Sequence, residues 1–262
     1  MTKKFKEKEL INRLGMEASK AKMVMKAQRE FPELLESDGK YVDSLRKLYL
    51  KLGLDKSHWS RWIKKNVINN EFFTENKDWW GFAIMANGNK VDDFKVTIEM
   101  AKHLCMMART EKSHEIRNYF IYLEESIKDM DKWVEVRNPQ KQSYLKMTDC
   151  IKDQYIKEHG KEPNRFIYVN NADMINLALF GYKSKQIKDI LELEYDDLVR
   201  DNLVVECNKA IDELQILNTN LLISNVDFQT RKLIITNTCN AKFIGIRVKL
   251  VSEFSKELRQ AS

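Results

Sequence analysis

The sequence predicts a mainly α, multi-domain helical protein with a helix-turn-helix-like unit, a small β-hairpin and a helical C-terminal domain. Three observations predict it. Apolar residues recur at helical spacing in segment after segment, for example Ile116, Tyr119, Phe120, Leu123 and Ile127. A single dense cluster of aromatic and β-forming residues surrounds Asn87-Gly88-Asn89, a strong hairpin turn signal. Finally, 262 residues that are 43 % hydrophobic suffice for one large domain or two to three small ones.

Residues 5–30 read as two helices separated by Gly15. Leu10, Ile11 and Leu14 form the first stripe; Met16, Ala21, Met23, Met25 and Ala27 populate the second. Two readings stay open: a helix-turn-helix-like pair that meets DNA, or a segment whose methionines pack on the next domain. Pro32 ends the element and Glu36 to Lys40 is a loop, so residues 1–39 are expected to form a first unit.

Residues 40–128 form the second expected unit. Leu45 to Leu52 and Asp55 to Lys65 are two short helical blocks with inward residues Leu45, Leu48, Tyr49 and Leu52, then Trp59, Trp62 and Ile63. Gly53 terminates the first block and Asp55 caps the second. Basic residues are left for the outer face of this helix-turn-helix-like pair. Asn69-Asn70-Glu71 breaks the pattern, and a hairpin joins Phe82–Met85 to Val91–Val96. Thr97 caps a helix from Ile98 to Ala108, and Thr110 or Lys112 opens another. Helix pair, hairpin and helix is the order of a winged-helix or Bro-like DNA-binding unit, an analogy of fold and not of function.

Within this unit lie Trp62-Ile63-Lys64-Lys65, Lys77-Asp78-Trp79, Thr97-Ile98-Glu99-Met100-Ala101-Lys102-His103-Leu104, and Arg109-Thr110-Glu111-Lys112-Ser113-His114-Glu115-Ile116-Arg117-Asn118-Tyr119-Phe120. With the leucine-rich lead-in Leu45 to Leu52, this series resembles the AntA/AntB family of phage antirepressors. The resemblance implies a regulator that acts by binding a prophage repressor, in the cytoplasm of a bacterial host.

Residues 129–143 are charged and contain Asn138-Pro139, which predicts a linker. Beyond it, residues 144–262 read as a helical C-terminal domain for partner binding or oligomerisation. Its expected elements are a helix from Tyr144 to Glu158, a turn at His159 to Pro163, a short strand from Phe166 to Val169, a helix from Asn171 closed by Gly181, and a helix capped by Ser184. Asp173, Ile175, Asn176, Gly181, Ser184, Lys185, Val199-Arg200-Asp201, Asp227-Phe228 and Arg231-Lys232 resemble a C-terminal module that follows several phage regulatory N-domains. Ile211, Leu214, Asn218 and Leu221, with Leu217 beside them, form a coiled-coil-like seam in which Asn218 can fix register. An ordinary core helix has the same spacing. Phe243 to Val251 alternates as a half-exposed strand, with a helix from Val248 as the other reading.

Charge is uneven. Residues 1–65 hold 17 Lys+Arg against 9 Asp+Glu, a difference of +8, whereas residues 191–227 hold 2 against 9, a difference of −7. Basic front and acidic back imply different partners, or contact between the two ends. Catalytic signatures are absent: the sequence has no Gly-rich phosphate loop, no Gly-x-Ser-x-Gly elbow and no His-Glu-x-x-His. Cys105, Cys150, Cys207 and Cys239 never pair as Cys-x-x-Cys, and the four histidines lack ligand spacing, so neither metal nor cofactor is expected. No apolar run is long enough to span a bilayer, and the charged N-terminus lacks a signal-peptide core, which predicts a cytoplasmic protein without a membrane partner.

A non-enzymatic regulator follows. In the first reading it is an antirepressor that inactivates a prophage repressor by protein contact and promotes lytic induction; the acidic segment Glu192 to Asp227 could cover a basic DNA-reading surface. In the second it is a sequence-specific DNA-binding regulator of a phage or mobile element. Its contacts would be Lys56, His58, Arg61, Lys64 and Lys65, with Lys3, Lys4, Lys6 and Lys8 neutralising phosphates. The candidate partner or oligomer contacts are Ile211, Leu214, Asn218 and Leu221 of the seam, and a homo-oligomer is expected.

Overall fold

Helices carry most of this chain, as its periodicity predicts. The computed structural model describes residues 5–35, 40–86 and 89–246. The chain divides into two units: Met1–Glu7 with Met16–Ile127, and Lys8–Gly15 with Lys128–Ser262. The expected N-terminal helix pair is therefore not one element. Its first part is a π-type turn, Glu9–Arg13, grouped with the second unit; its second part, α1 (Ala18–Glu30), belongs to the first.

In the first unit, Ala21, Val24 and Ala27 bury one face of α1. Ion pairs Lys26–Glu115 (2.8 Å) and Lys112–Glu30 (2.6 Å) tie α1 to the opening turns of α6 (Glu111–His159). A short α2 (Pro32–Leu35) follows. Strands β1 (Tyr41–Val42), β2 (Trp79–Ala86) and β3 (Asn89–Thr97) form an antiparallel sheet in the order β1-β3-β2. The hairpin register sets Trp79 opposite Val96 and Ala86 opposite Asn89; Asn87-Gly88 lie outside the described residues. Alternation drives one sheet face inward through Trp79, Phe94 and Val96. Between β1 and β2 run α3 (Leu45–Lys51), a 3₁₀ turn (Lys56–His58), α4 (Trp59–Ile63) and a π-type turn (Lys64–Ile68). Thr97 caps α5 (Ile98–Met107), accepting from the Met100 N–H at 3.2 Å.

Two sequence expectations fail in α6 and α7. Residues 129–143 are helical, inside the 49-residue α6. Trp133, Arg137 and Gln140 are buried at i, i+4 and i+7, an inward stripe disguised by two polar members. The Trp133 indole donates to Leu203 O at 2.8 Å, and Arg137 pairs with Asp201 at 2.8 Å. Pro139 sits on the exposed side, where water can serve the carbonyl it deprives of a donor. Phe166–Val169, expected as a strand, is the first turn of α7 (Arg165–Phe180). Asn164 caps it, accepting from the Phe166 N–H at 3.0 Å, and Met174, Ile175, Ala178 and Leu179 bury its later turns.

The second unit surrounds a core that includes Met147, Ile151, Ile175, Leu179, Phe180, Ile211, Leu214 and Ile235. Gly181 closes α7 at φ +80°, a left-handed position suited to glycine. Lys183, not Ser184, is the cap of α8 (Ser184–Ile190); Asp173 instead accepts both the N–H (2.9 Å) and the hydroxyl (2.7 Å) of Ser184. A 3₁₀ turn (Val199–Asn202), α9 (Val205–Ile223) and α10 (Phe228–Lys242) complete the unit. Asp227 caps α10 through the N–H groups of Gln229 (2.9 Å) and Thr230 (3.1 Å). Phe243 is the buried residue that closes α10 and Ile244–Ile246 are helical, neither being strand, while residues 247–251 of the predicted strand lie outside the described residues.

Candidate functional site

The α3–turn–α4 segment is built around aromatic rings. Ser44 caps α3 by accepting from the Lys47 N–H at 3.2 Å. At the turn, Gly53 takes φ +76°, and Asp55 accepts from both the N–H and the hydroxyl of Ser57 at 2.7 Å. Those bonds, the hydroxyl first, hold the Asp55 carboxyl below its usual range. The buried Tyr49 donates its hydroxyl to Asp55 O at 2.6 Å, and burial pushes its phenol up. Its ring meets Trp59 at 5.0 Å and Trp62 at 5.1 Å edge-on, while the two indoles stack at 6.2 Å. Trp59 and Ile63 are buried and Trp62 half-buried, as helical spacing predicts.

One residue that sequence reasoning missed locks this segment to the sheet. Asp93 of β3 is only 1 % exposed. Its carboxylate accepts from the Ser44 hydroxyl (2.5 Å), the Arg46 N–H (2.9 Å) and the Phe94 N–H (2.7 Å). Negative charge at the first turn of α3 also suits the partial positive charge of a helix N-terminus. Trp59 adds a second tie, donating its indole N–H to Asp92 O at 3.2 Å, and Arg46 covers its ring at 5.2 Å. The available signal was an acidic residue inside a strand that otherwise buries one face.

With the apolar side fixed inward, the basic side must face out. Lys56, His58, Arg61, Lys64 and Lys65 are all exposed, on the consecutive 3₁₀ turn, α4 and π-type turn. Arg61, Lys64 and Lys65 stand at i, i+3 and i+4, on one face. Among the described residues, none of these five enters an ion pair. Elsewhere in the unit Lys26, Lys51, Lys95 and Lys112 are each matched by a carboxylate. Of the lysines proposed as phosphate neutralisers, Lys3 and Lys4 lie outside the described residues, Lys6 is exposed, and Lys8 pairs with Glu192 at 2.8 Å.

The seam candidates of the second unit are placed differently. Ile211, Leu214 and Asn218 are fully buried and Leu221 half-buried, so this stripe packs inside the core of the second unit. Asn218 accepts from Arg231 at 2.5 Å, and Arg231 also donates to Asn171 at 2.8 Å and to Val226 O at 3.1 Å. Burial holds the Arg231 guanidinium below its ordinary range. The acidic segment is partly neutralised: Glu192 meets Lys8, Asp201 meets Arg137, and Glu213 meets Lys242. Glu194, Asp196 and Glu206 remain exposed.

Among the described residues, no group of three or more His, Cys, Asp or Glu could hold a metal ion. No helix of the described residues is long and apolar enough to cross a membrane. Comparison with curated proteins and with solved structures gave no match. Residues 43–110 match the family described as AntA/AntB antirepressor. That segment starts just before α3 and ends just before α6, and so includes the aromatic core, the Asp93 lock and the whole basic face. The chain is thus similar to the AntA/AntB antirepressor family over residues 43–110, about a quarter of its length.

Proposed function

We propose that this protein relieves repression by binding a prophage repressor and holding it in a form that cannot occupy its operator. The family match over residues 43–110 carries this reading. Mechanistically the effect is mass action: a partner that binds only the DNA-free form of the repressor draws the population away from the operator. The exposed carboxylates Glu194, Asp196 and Glu206 offer a charge complement to a basic DNA-reading surface. Co-elution tests the proposal. The repressor of the same phage, mixed with this protein without DNA, should leave a sizing column as one complex; separate elution at micromolar concentrations contradicts it.

A second reading rests on a specific observation, the exposed basic residues Lys56 to Lys65 on the 3₁₀ turn, α4 and the π-type turn, which enter no ion pair among the described residues. Exposed cations on three consecutive short elements suit the phosphate backbone, and such binding weakens steeply with salt. Arg61 is the one arginine among them, so base-edge discrimination by bidentate contacts is sparse. Replacing Lys64 and Lys65 by Glu separates the readings. Operator binding is abolished if the face reads DNA, while repressor capture persists if contact lies elsewhere.

A further inference from the structure

The open edge of β2 is a strand-pairing surface, and we infer that it pairs with the same strand of a second copy of this chain. The Thr97 N–H donates to Asp78 O at 2.8 Å, which fixes the alternation of the hairpin. In that pattern Trp80, Phe82 and Ile84 bond across to β3, whereas Gly81, Ala83 and Met85 turn their N–H and C=O groups away from it. Trp79 O is taken by the Asn76 N–H at 2.9 Å. Among the described residues, nothing takes the outward groups of Gly81, Ala83 or Met85, and all three residues are exposed, Met85 to 72 %.

Such an edge is unusual. Monomeric proteins guard edge strands with lysine, proline, a bulge or a covering element. From Trp79 to Ala86 the sequence Trp-Trp-Gly-Phe-Ala-Ile-Met-Ala has no charge and no proline, and its pairing register with β3 is unbroken. Only another strand presents donors and acceptors at the matching spacing.

Self-complementarity identifies that strand. In a two-fold antiparallel arrangement centred on Ala83, Gly81 faces Met85 of the second copy and Ala83 faces itself. All the outward groups then pair. On the other face Phe82 lies opposite Ile84 of the second copy, an aromatic with a β-branched residue, which is a favoured cross-strand pair. No like charges meet, because the strand has none, and the contact is isologous and closed. The chain's net charge of +6 is not brought to bear along this line. The inference is independent of which partner the antirepressor domain binds, and it moves oligomerisation from the buried α9 stripe to the sheet.

Sedimentation equilibrium of the full chain over a concentration series tests it. The expected mass is twice the 31.0 kDa of one chain. Ala83→Lys sets two like charges opposite each other, and Ala83→Pro removes an outward N–H without touching a bond to β3; both should be monomeric with unchanged far-UV circular dichroism. In a Cys150→Ser background, Ala83→Cys should form a disulfide-linked dimer on mild oxidation, because facing residues of a bonded pair lie about 5.5 Å apart at Cα. Gly81→Cys, off the axis, should not. A wild-type chain that stays monomeric throughout overturns the inference, as does one that joins only a repressor. So does a dimer that survives both Ala83→Lys and Ala83→Pro, or equal cross-linking by Gly81→Cys.

Discussion

Asp93→Ala removes the carboxylate that fastens α3 to the sheet, and the consequence can be worked from its three bonds. The Ser44 hydroxyl can rotate to another acceptor, as it still caps α3 through the Lys47 N–H. The Arg46 and Phe94 N–H groups have no such freedom and lose a charged acceptor, the first in a partly buried and the second in a buried setting. Each orphaned donor costs about 1–3 kcal/mol, so the substitution should cost about 2–6 kcal/mol in the first unit. Tryptophan fluorescence is a selective probe, since Trp59, Trp62, Trp79 and Trp80 lie in that unit and only Trp133 lies in the second. In urea, the fluorescence midpoint should fall by the equivalent of that energy, with Asp93→Asn intermediate because it keeps one acceptor oxygen. Repressor capture should weaken along with it if the α3–α4 face takes part. A loss below about 0.5 kcal/mol, within the range of an ordinary surface substitution, would refute the view that Asp93 is the lock.

Three further outcomes are expected. Arg231→Ala leaves the acceptors of Asn218 and Val226 without their Arg231 donor, and Asn171 with only the long Asn218 amide bond (3.4 Å), and should destabilise the second unit by about 2–4 kcal/mol, seen in Trp133 fluorescence of a variant lacking the other tryptophans. For Glu115, burial pushes the carboxyl up, but its bonds to Lys26 and Lys112 outweigh this and hold it below its ordinary value of 4.5. The folded form is then the better acid, so its stability contribution is present above that ordinary value and is lost as pH falls through the folded value. Partial exposure limits it to under about 1 kcal/mol, and Glu115→Gln should flatten that slope in acid-titrated melts. Burial pushes the Cys105 thiol up to about 12, and Cys207 and Cys239 are buried as well. A thiol reagent at pH 8 should therefore modify Cys150 first, with all four reacting only in denaturant.

Much of the first unit was legible because periodicity and burial agree there. Trp59 and Ile63 were placed in the core and Lys56, Arg61, Lys64 and Lys65 outside by spacing alone, and each lies there. Thr97 and Asp55 announced their caps through side-chain chemistry that works over two or three residues. What escaped depends on distant contacts. Strand β1 is Tyr41–Val42, too short for any alternation to show. Asp93 carries no local sign that its bonds reach Ser44 and Arg46, 49 and 47 residues away. At Phe166–Val169, aromatic and β-branched residues favoured strand, yet the Asn164 cap and the apolar face of the later turns carry one helix through them. Asn138-Pro139 suggested a break, but the stripe of Trp133, Arg137 and Gln140 is satisfied only by a helix. The α9 stripe shows the reverse limit. Its spacing was read correctly, but spacing cannot say whether a stripe packs against its own chain or another.

The central claim is that this protein removes a repressor from its operator by binding the repressor. Fluorescence anisotropy of labelled operator DNA tests it most directly, with repressor bound beforehand and this protein titrated in at physiological salt. A fall to the anisotropy of free DNA, with no rise when the protein meets free operator alone, is the predicted result. An unchanged signal, or a rise on free operator that Lys64→Glu with Lys65→Glu abolishes, would contradict the account and identify a DNA-binding regulator instead.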